Sequence, residues 1–333
     1  MRCHRGPWQA RYYHMRRAFV GSFAVLMAVF LSAQSGKTYR VKKVGEYPNF
    51  MALSPDGNTA YVTSFGTGDL IVVDLATKTV TGSVSVGSEP LGVALAEGGK
   101  TAFVACRQSG TIAVVDLTSL RVVENIKVSG APYAVAVGPK GYRVYVTNYG
   151  RTKEGGQLHV IDVREHSLIA TMKVGMNPIA LAVMPVSELC YVVNGGLNQV
   201  WVVDPERQRV LNRITVGDAP IGIAITPDGK RAFVPNNRSD DLSVIDTQLG
   251  KLLVSVPVGK GPFGVTVSPD GKRVFVVNSE ARTFSVLPSD LSNLELTSYK
   301  IDKGSRDIKV APDNRTVVVV SEQTNSLLVT DVP

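Results

Sequence analysis

Residues 220–258 read PIGIAITPDGKRAFVPNNRSDDLSVIDTQLGKLLVSVPV, and this stretch decides the fold. Short runs rich in valine and isoleucine alternate with Gly, Pro, Asn and Asp, which is the pattern of strands joined by tight turns. Residues 227–229, Pro-Asp-Gly, predict a hairpin because proline presets φ and glycine accepts a positive φ. The stretch therefore predicts four strands, at residues 221–226, 231–236, 241–246 and 251–259.

The same unit recurs along the chain, mostly at a spacing of 42 residues. The prolines that end the turn before each unit are Pro48, Pro90, Pro132, Pro178, Pro220 and Pro262, with Ser305 in the seventh place. A second series, which includes YVTN at 145–148 and FVPN at 233–236, begins 13 residues after each of these positions. The third unit has four extra residues, within 150–156, between its second and third strands. A repeat of this period is typical of a stacked architecture.

A four-stranded unit of about 40 to 45 residues is typical of a β-propeller blade. One blade alone cannot bury both of its faces, so the blades are expected to stack in a ring. The pattern begins at 39–45 with a fourth strand that has no first three before it, and it ends at 329–331 with a third strand. We therefore predict an all-β, seven-bladed β-propeller whose ring closes when the N-terminal strand joins the last blade.

These units resemble the YVTN β-propeller repeat family. The resemblance rests on the YVTN sequence at 145–148 and on the VGxxP, PDG and VID elements, which recur at matching offsets from residue 39 to residue 333. It implies a propeller of the surface-layer or periplasmic type. The family includes cell-surface proteins and periplasmic binding proteins, one type of which contacts DNA, and its cousins include lactonases and haem d1 nitrite reductases.

Residues 1–35 have the pattern of a secretory signal peptide. Five arginines lie within residues 1–17, residues 18–31 form a continuous apolar run, and the run ends in SAQS at 32–35. A run of this length suits a signal peptide, whereas a spanning helix needs about 20 apolar residues. We therefore expect export to the periplasm, the cell surface or the exterior, with residues 36–333 forming one propeller. An uncleaved anchor is the alternative, and twin-arginine export stays open beside general secretion.

The charge and the cysteine content limit the classes of partner and cofactor that the chain is expected to bind. The formal net charge is +8, but without the five N-terminal arginines the chain has 31 basic and 28 acidic residues, a net charge of +3. This balance argues against a nucleic-acid surface, because affinity grows with the number of phosphates neutralised. No CxxCH motif occurs, and no cofactor is expected. Cys106 and Cys190 are expected to be small buried thiols, with a disulfide between them as the alternative.

Most of the recurring polar residues have a structural interpretation. The aspartates that end the third strands, such as Asp246, are expected to close Asx turns. They stand one per blade and therefore far apart, so no metal site is predicted. Asparagines end four of the second strands and are expected to hold the loops that follow. These asparagines are Asn148, Asn194, Asn236 and Asn278.

Strand direction places the VGxxP loops and the loops after the second strands at one end of the ring. We name this end the loop face and expect it to carry function, because loops on a rigid scaffold carry specificity. The residue after each proline is expected to line the mouth of the central channel. In chain order these residues are Asn49, Leu91, Tyr133, Ile179, Ile221, Phe263 and Arg306. Five are apolar, and Asn49 and Arg306 are the exceptions.

A local departure from a repeat pattern marks a candidate site. We predict ligand-binding residues at the mouth and on the companion loops, with no catalytic residue and no metal ligand. They are Asn49, Arg107, Tyr133, Arg238, Phe263, Glu280, Arg306, Asp307 and Glu322. The alternative is that Arg306 and Asp307 pair with each other, or only solvate the seam where the ring closes.

The sequence favours an exported, non-enzymatic binding or scaffold module whose ligand is a protein, a polymer or a small molecule. The alternative is a lactonase-like hydrolase, which would need a carboxylate beside Arg306, because His159 and His166 are predicted to lie away from the mouth. A further alternative is a nucleic-acid-binding periplasmic propeller. Its candidate contacts are Arg107, Arg151, Lys153 and Arg238.

Overall fold

The structure, a computed structural model, describes the backbone of residues 30–32 and all of residues 37–150 and 155–333. Most of the predicted signal peptide, and residues 151–154 of the third-blade insertion, lie outside the described residues. Within the described part, the strands form seven sheets that each contain a four-stranded antiparallel blade. The prediction of a seven-bladed β-propeller is confirmed.

The strands are numbered in chain order, from β1 (Phe30–Ser32) and β2 (Thr38–Lys42). Blade one contains β3 (Pro48–Leu53), β4 (Thr59–Ser64), β5 (Asp69–Asp74) and β6 (Thr79–Ser85). Blade two contains β7 (Pro90–Ala96), a 3-10 turn (Glu97–Gly99), β8 (Thr101–Cys106), β9 (Thr111–Asp116) and β10 (Arg121–Lys127). Blade three contains β11 (Ala131–Val137), β12 (Arg143–Tyr149), β13 (Gly156–Asp162) and β14 (Ser167–Gly175).

The remaining blades follow the same order. Blade four contains β15 (Pro178–Val183), β16 (Cys190–Asn194), β17 (Gln199–Asp204) and β18 (Arg209–Thr215). Blade five contains β19 (Ala224–Ile225), β20 (Arg231–Asn236), β21 (Asp241–Asp246) and β22 (Lys251–Pro257). Blade six contains β23 (Pro262–Val267), β24 (Arg273–Asn278), β25 (Thr283–Pro288) and β26 (Leu296–Lys300). Blade seven contains β27 (Ser305–Val310), β28 (Thr316–Ser321), β29 (Ser326–Asp331) and β2.

Strand β2 closes the ring. It pairs antiparallel with β29, from Thr38 opposite Thr330 to Lys42 opposite Ser326. The hydroxyl of Tyr39 donates a hydrogen bond of 2.6 Å to the carbonyl of Leu75 in blade one. The N-terminal strand therefore completes blade seven as predicted and also fastens it to blade one.

The hydrophobic core is divided among the interfaces between neighbouring blades. In the described residues, each of the seven interfaces has its own cluster of buried aliphatic and aromatic side chains. At the closing interface, Val41 of β2 packs with Val62 of blade one and Val329 of blade seven. The ring is therefore stabilised by seven similar contacts, because each blade buries its two faces only against its neighbours.

Small residues let the first strands of the blades approach one another around the axis. A Cβ on Gly92 would lie 2.7 Å from the carbonyl oxygen of Tyr133, and one on Gly264 would lie 2.5 Å from that of Arg306. Both distances are too short for a side chain. Glycine at these positions therefore sets the width of the channel.

The first strand of blade five differs from the prediction. Residues 221–226 were expected to be a strand, but β19 contains only Ala224 and Ile225. Pro235 lies in the partner strand β20 and has no backbone N–H to donate. The ladder between the first and second strands of blade five is therefore interrupted next to Pro235. On the far side of this proline, Pro220 and Asn236 form an isolated bridge.

The recurring polar residues stabilise turns and loops as expected. Asp246 accepts hydrogen bonds from the backbone N–H groups of Gln248 and Leu249, at 2.9 and 2.8 Å. The amide of Asn236 donates to Asp241 at 2.5 Å and to Ser243 at 2.9 Å, so it ties the end of β20 to β21. These residues are accounted for by local structure.

Cys106 and Cys190 are both buried free thiols, so the disulfide alternative is wrong. Burial raises the pKa of Cys106 to about 12, and it also raises the pKa of Cys190.

Strand β1 lies within the predicted signal peptide and pairs in parallel with the outer strand of blade six, β26. In the described residues there is no helix of sufficient length and hydropathy to cross a membrane.

Candidate functional site

The first strands surround a cavity of about 190 Å³ on the axis of the ring. Its walls come from the beginnings of these strands, so it lies at the loop face. The large apolar side chains in the wall are Phe50, Ile179, Ile221, Ile223 and Phe263. The charged residues in the wall are Arg306, Asp307 and Lys309, all from β27. The cavity is therefore apolar on most sides and charged on one. We name it the mouth cavity.

A β-bulge places Arg306 in the wall. The ladder between β27 and β28 shifts register between Ser305 and Asp307, which leaves Arg306 unpaired. The same irregularity follows Pro132 and Pro262 in other blades. A bulge re-aims the side chain of the extra residue, and here it brings Arg306 into the cavity wall, as it does Phe263 in blade six.

Arg306 is held by two neighbours. Its guanidinium lies 4.5 Å from the centroid of the Phe263 ring, and its Nε donates a hydrogen bond of 2.5 Å to Glu322. The side chain of Arg306 stays 31% exposed. Its two terminal nitrogens have no hydrogen-bond partner among the described residues. The guanidinium is thus fixed in position while part of its fork of donors stays open.

Asp307 is occupied by partners of its own. It is 4% exposed and accepts hydrogen bonds from the backbone N–H groups of Met51 and Ile308, at 3.1 and 2.9 Å. The amino group of Lys309 bonds both carboxylate oxygens, at 2.8 and 2.9 Å. The bond to Met51 joins blade seven to blade one. The alternative in which Arg306 and Asp307 pair with each other is therefore wrong.

Lys309 is a residue of the site that the sequence analysis missed. The signal was present, because five blades have alanine at the equivalent position, four residues after the proline, and blade six has Thr266. A lysine among these small residues breaks the pattern as Arg306 does. The alanines are Ala52, Ala94, Ala136, Ala182 and Ala224.

Tyr133 and Arg107 stand near the same cavity. The ring of Tyr133 meets that of Phe50 edge-on, with centroids 6.2 Å apart. Burial raises the pKa of Tyr133, while the positive charges of Arg306 and Arg107 act to lower it. A guanidinium nitrogen of Arg107 lies 3.6 Å from a carboxylate oxygen of Glu89. The fold therefore brings Tyr133 and both arginines within electrostatic reach of one another.

Six of the nine predicted site residues are not in the cavity wall: Tyr133 and Arg107 stand near it, Glu322 holds Arg306, and the other three are Asn49, Arg238 and Glu280. Phe50 contributes to it from blade one, and the adjacent Asn49 does not. Arg238 and Glu280 are exposed at the second position of their loops. Glu280 lies over the loop at Gly261, where an added Cβ would be 2.6 Å from its Cγ.

Neither His159 nor His166 lies at the cavity, and two of the candidate nucleic-acid contacts lie outside the described residues. His159 is fully buried in β13, and its Nδ1 is 2.9 Å from the hydroxyl of Thr171. His166 lies in the turn before β14, at the opposite end of the ring from the loop face. Arg151 and Lys153 lie outside the described residues. Among the residues that are described, no three His, Cys, Asp or Glu side chains are grouped as metal ligands.

The fold and this site define the class of the protein as a seven-bladed β-propeller with a cavity at the mouth of its channel. No protein-family model matches the chain, and no curated protein matches it. Solved structures do match, in 1644 chains, so the fold is common and does not by itself indicate a function. One match is hydrazine synthase of Kuenenia stuttgartiensis, with a TM-score of 0.76 and 19% identity, over 92% of this chain and 99% of that chain. At this identity the likeness shows the fold alone.

Proposed function

We propose that this protein is an exported, non-enzymatic β-propeller that binds its ligand in the mouth cavity of the loop face, as a binding or scaffold module of the cell envelope. The observation that carries the proposal is Arg306. Five of the seven blades have an apolar residue at this position, and the arginine is held over an apolar cavity with unpaired donors. An apolar wall with a few directing polar groups is the usual form of a ligand site.

Two further points support the proposal. The N-terminal pattern and the resemblance to YVTN repeats agree with a periplasmic or cell-surface protein. A larger cleft, of about 610 Å³, lies between the loops of blades one and two, but it is more open, and Glu89 is the only charged residue described in its wall. The mouth cavity therefore has the better directing groups. The hydrolase and nucleic-acid alternatives stay as predictions.

A screen for ligands of the purified propeller tests this proposal. A library of envelope metabolites would be assayed by thermal shift against the wild-type protein, Ile221→Trp and Leu249→Trp. Ile221 lines the cavity, so a tryptophan there fills it. Leu249 is 63% exposed in the turn between β21 and β22, at the other end of the ring, and serves as the matched control.

We expect compounds that raise the Tm of the wild-type protein and Leu249→Trp but not that of Ile221→Trp. Equal stabilisation of all three proteins would place the ligand elsewhere and contradict the proposal. Chemical conversion of a stabilising lactone by the wild-type protein would favour the hydrolase instead.

A further inference from the structure

The hydrogen-bonding groups of the mouth cavity are unequally occupied. Both oxygens of Asp307 already accept hydrogen bonds, and one oxygen of Glu322 accepts from Arg306. Two nitrogens of Arg306 have no partner among the described residues. A guanidinium has five N–H donors and no acceptor, and only the Nε donor is used here. Most of the capacity left for a ligand is therefore donor capacity.

The charge of the cavity wall also favours a ligand that accepts hydrogen bonds, and in particular an anionic one. The side chains of Arg306 and Lys309 are 31% and 35% exposed. The side chain of Asp307 is only 6% exposed, and its carboxylate is already bonded to its own partners. A ligand that enters the cavity therefore meets two cationic groups more readily than the buried carboxylate. A planar guanidinium with open terminal donors matches a carboxylate geometrically, because two parallel N–H donors face two oxygens.

The remainder of the wall is apolar, and the cavity is small. Ile179, Ile221 and Phe263 line it beside Arg306, and its volume is about 190 Å³. Sites for drug-sized ligands usually occupy about 300–1,000 Å³, so this cavity fits a smaller molecule. An apolar body of that size would be buried against these side chains.

We propose that the mouth cavity binds a small organic carboxylate, whose apolar body lies against Ile179, Ile221 and Phe263 and whose carboxylate is bound by the terminal nitrogens of Arg306. This inference rests on the proposed function and specifies the ligand class for the same site. Glu322 and the Phe263 ring act as positioning groups, since they hold the guanidinium before the ligand arrives. Pre-ordering of this kind lowers the entropy lost on binding.

Isothermal titration with matched probes tests the inference. The probes are 4-phenylbutyrate, the uncharged 4-phenyl-1-butanol, and a tetrapeptide ending in phenylalanine with either a free or an amidated C-terminus. We expect the acid to bind the wild-type protein at least ten-fold more tightly than the alcohol. Arg306→Leu should weaken binding of the acid about ten- to a hundred-fold and leave binding of the alcohol unchanged.

Arg282→Leu is the control, because it removes an exposed arginine from the loop between β24 and β25, on the same face. We expect it to leave the affinity for the acid unchanged. Arg306→Lys keeps the charge but removes the fork, so it should also weaken binding of the acid. It serves as the second variant if Arg306→Leu does not fold, which thermal unfolding would reveal. The free-acid peptide should bind no better than its amide, and tighter binding of the free acid would assign the carboxylate to a protein C-terminus.

Equal affinity of the wild-type protein for the acid and the alcohol would overturn the inference. So would an equal loss in Arg306→Leu and Arg282→Leu, or no binding of the acid. The carboxylate assignment can fail while the proposed binding function stands. If neutral or cationic compounds bind the wild-type protein but not Ile221→Trp, the binding function stands and the carboxylate assignment falls.

Discussion

Arg306 and Asp307 are adjacent in β27 and have different surroundings. Arg306 lies in a bulge, with an exposed side chain that contacts Phe263 and Glu322. Asp307 is buried and accepts a hydrogen bond from Met51 of the neighbouring blade. The first arrangement suits a group that contacts a ligand, and the second suits a group that stabilises the ring.

The two residues should therefore respond differently to substitution. Asp307→Ala should lower the free energy of unfolding by about 1.5 to 3 kcal/mol, because the Met51 N–H and Lys309 lose a charged partner. Arg306→Leu should change it by less than about 1 kcal/mol, because a partly exposed ion pair contributes little. Urea unfolding of both variants is the measurement. A larger loss in Arg306→Leu than in Asp307→Ala would show that Arg306 is the structural residue of the two.

At the level of the residue, steric contact explains the glycine of the VG sequence that precedes five of the seven blades. A Cβ on Gly217 would lie 2.6 Å from the amide nitrogen of Asn236, and one on Gly259 would lie 2.7 Å from that of Asn278. The asparagine that ends the second strand thus packs directly against the loop that precedes its blade. The two sequence elements recur together because each needs the space that the other leaves.

At the scale of the element, β2 contributes more than its five residues suggest. Val41 of β2 and Val44, which follows the strand, are 3% and 0% exposed in the cluster that joins blades seven and one. Without β2, the edge of β29 would have unpaired N–H and C=O groups. One strand therefore both covers an edge and fills an interface.

Removal of residues 1–45 should destabilise the protein strongly. Loss of two buried valines alone corresponds to about 3 to 6 kcal/mol, and the open edge of β29 should promote aggregation. The control is a chain that begins at residue 37 and keeps β2. Thermal unfolding and size-exclusion chromatography of the two proteins are the measurements. The closure would be unimportant for stability if both proteins melted at the same temperature and stayed monodisperse.

Strand β13 contains a group that makes stability depend on pH. His159 is fully buried, and burial lowers its pKa below the ordinary value. As the pH falls through about 6.5, the unfolded chain takes up a proton that the folded protein resists, so the free energy of unfolding decreases. We expect the free energy of unfolding to decrease by no more than about 1.4 kcal/mol per pH unit, which is the limit for one proton.

Urea unfolding between pH 7.5 and pH 5 checks this expectation. His159→Gln removes the titrating group and should flatten the pH dependence in this window, whereas His166→Gln, in the turn before β14, should not. If the two variants keep the same slope as the wild-type protein, other groups cause the dependence.

At the scale of the whole molecule, the ring distributes its core over seven interfaces. Each interface repeats the same aliphatic packing, so no single blade has a core of its own. Because the core lies between the blades, the side chains at the loop face and at the mouth of the channel do not have to be apolar. Charged residues such as Arg306 and Lys309 are therefore tolerated there.

The proposed export concerns the whole chain. We expect the mature protein to begin near residues 34–36, because the apolar run ends just before them. Such cleavage would remove β1 and leave blade six with four strands, as in the other blades. N-terminal sequencing of protein from the cell envelope is the measurement. An intact residue 1–33 segment in that fraction would indicate an anchor instead.

The seven blades, the strand order and the closing strand could be predicted from the sequence alone, because each follows from a short repeat. Turn residues such as Asp246 were predictable for the same reason, since an Asx turn depends on its own neighbours. The loop face and the departure at Arg306 also followed from alignment of the units. Lys309 was recoverable in the same way, from the alanines at its equivalent positions.

The pairing of the charged groups, in contrast, could be seen only in the folded structure. Arg306 bonds Glu322 and stacks on Phe263 of the preceding blade, while Asp307 bonds Met51 across the seam. These partners lie from 16 to 256 residues apart in sequence, and their contact depends on the bulge and on the closure of the ring. Adjacent residues in a strand point in different directions, so proximity in sequence predicted the wrong partner for Arg306. The unpaired donors that suggest a carboxylate ligand became visible only once those contacts were known.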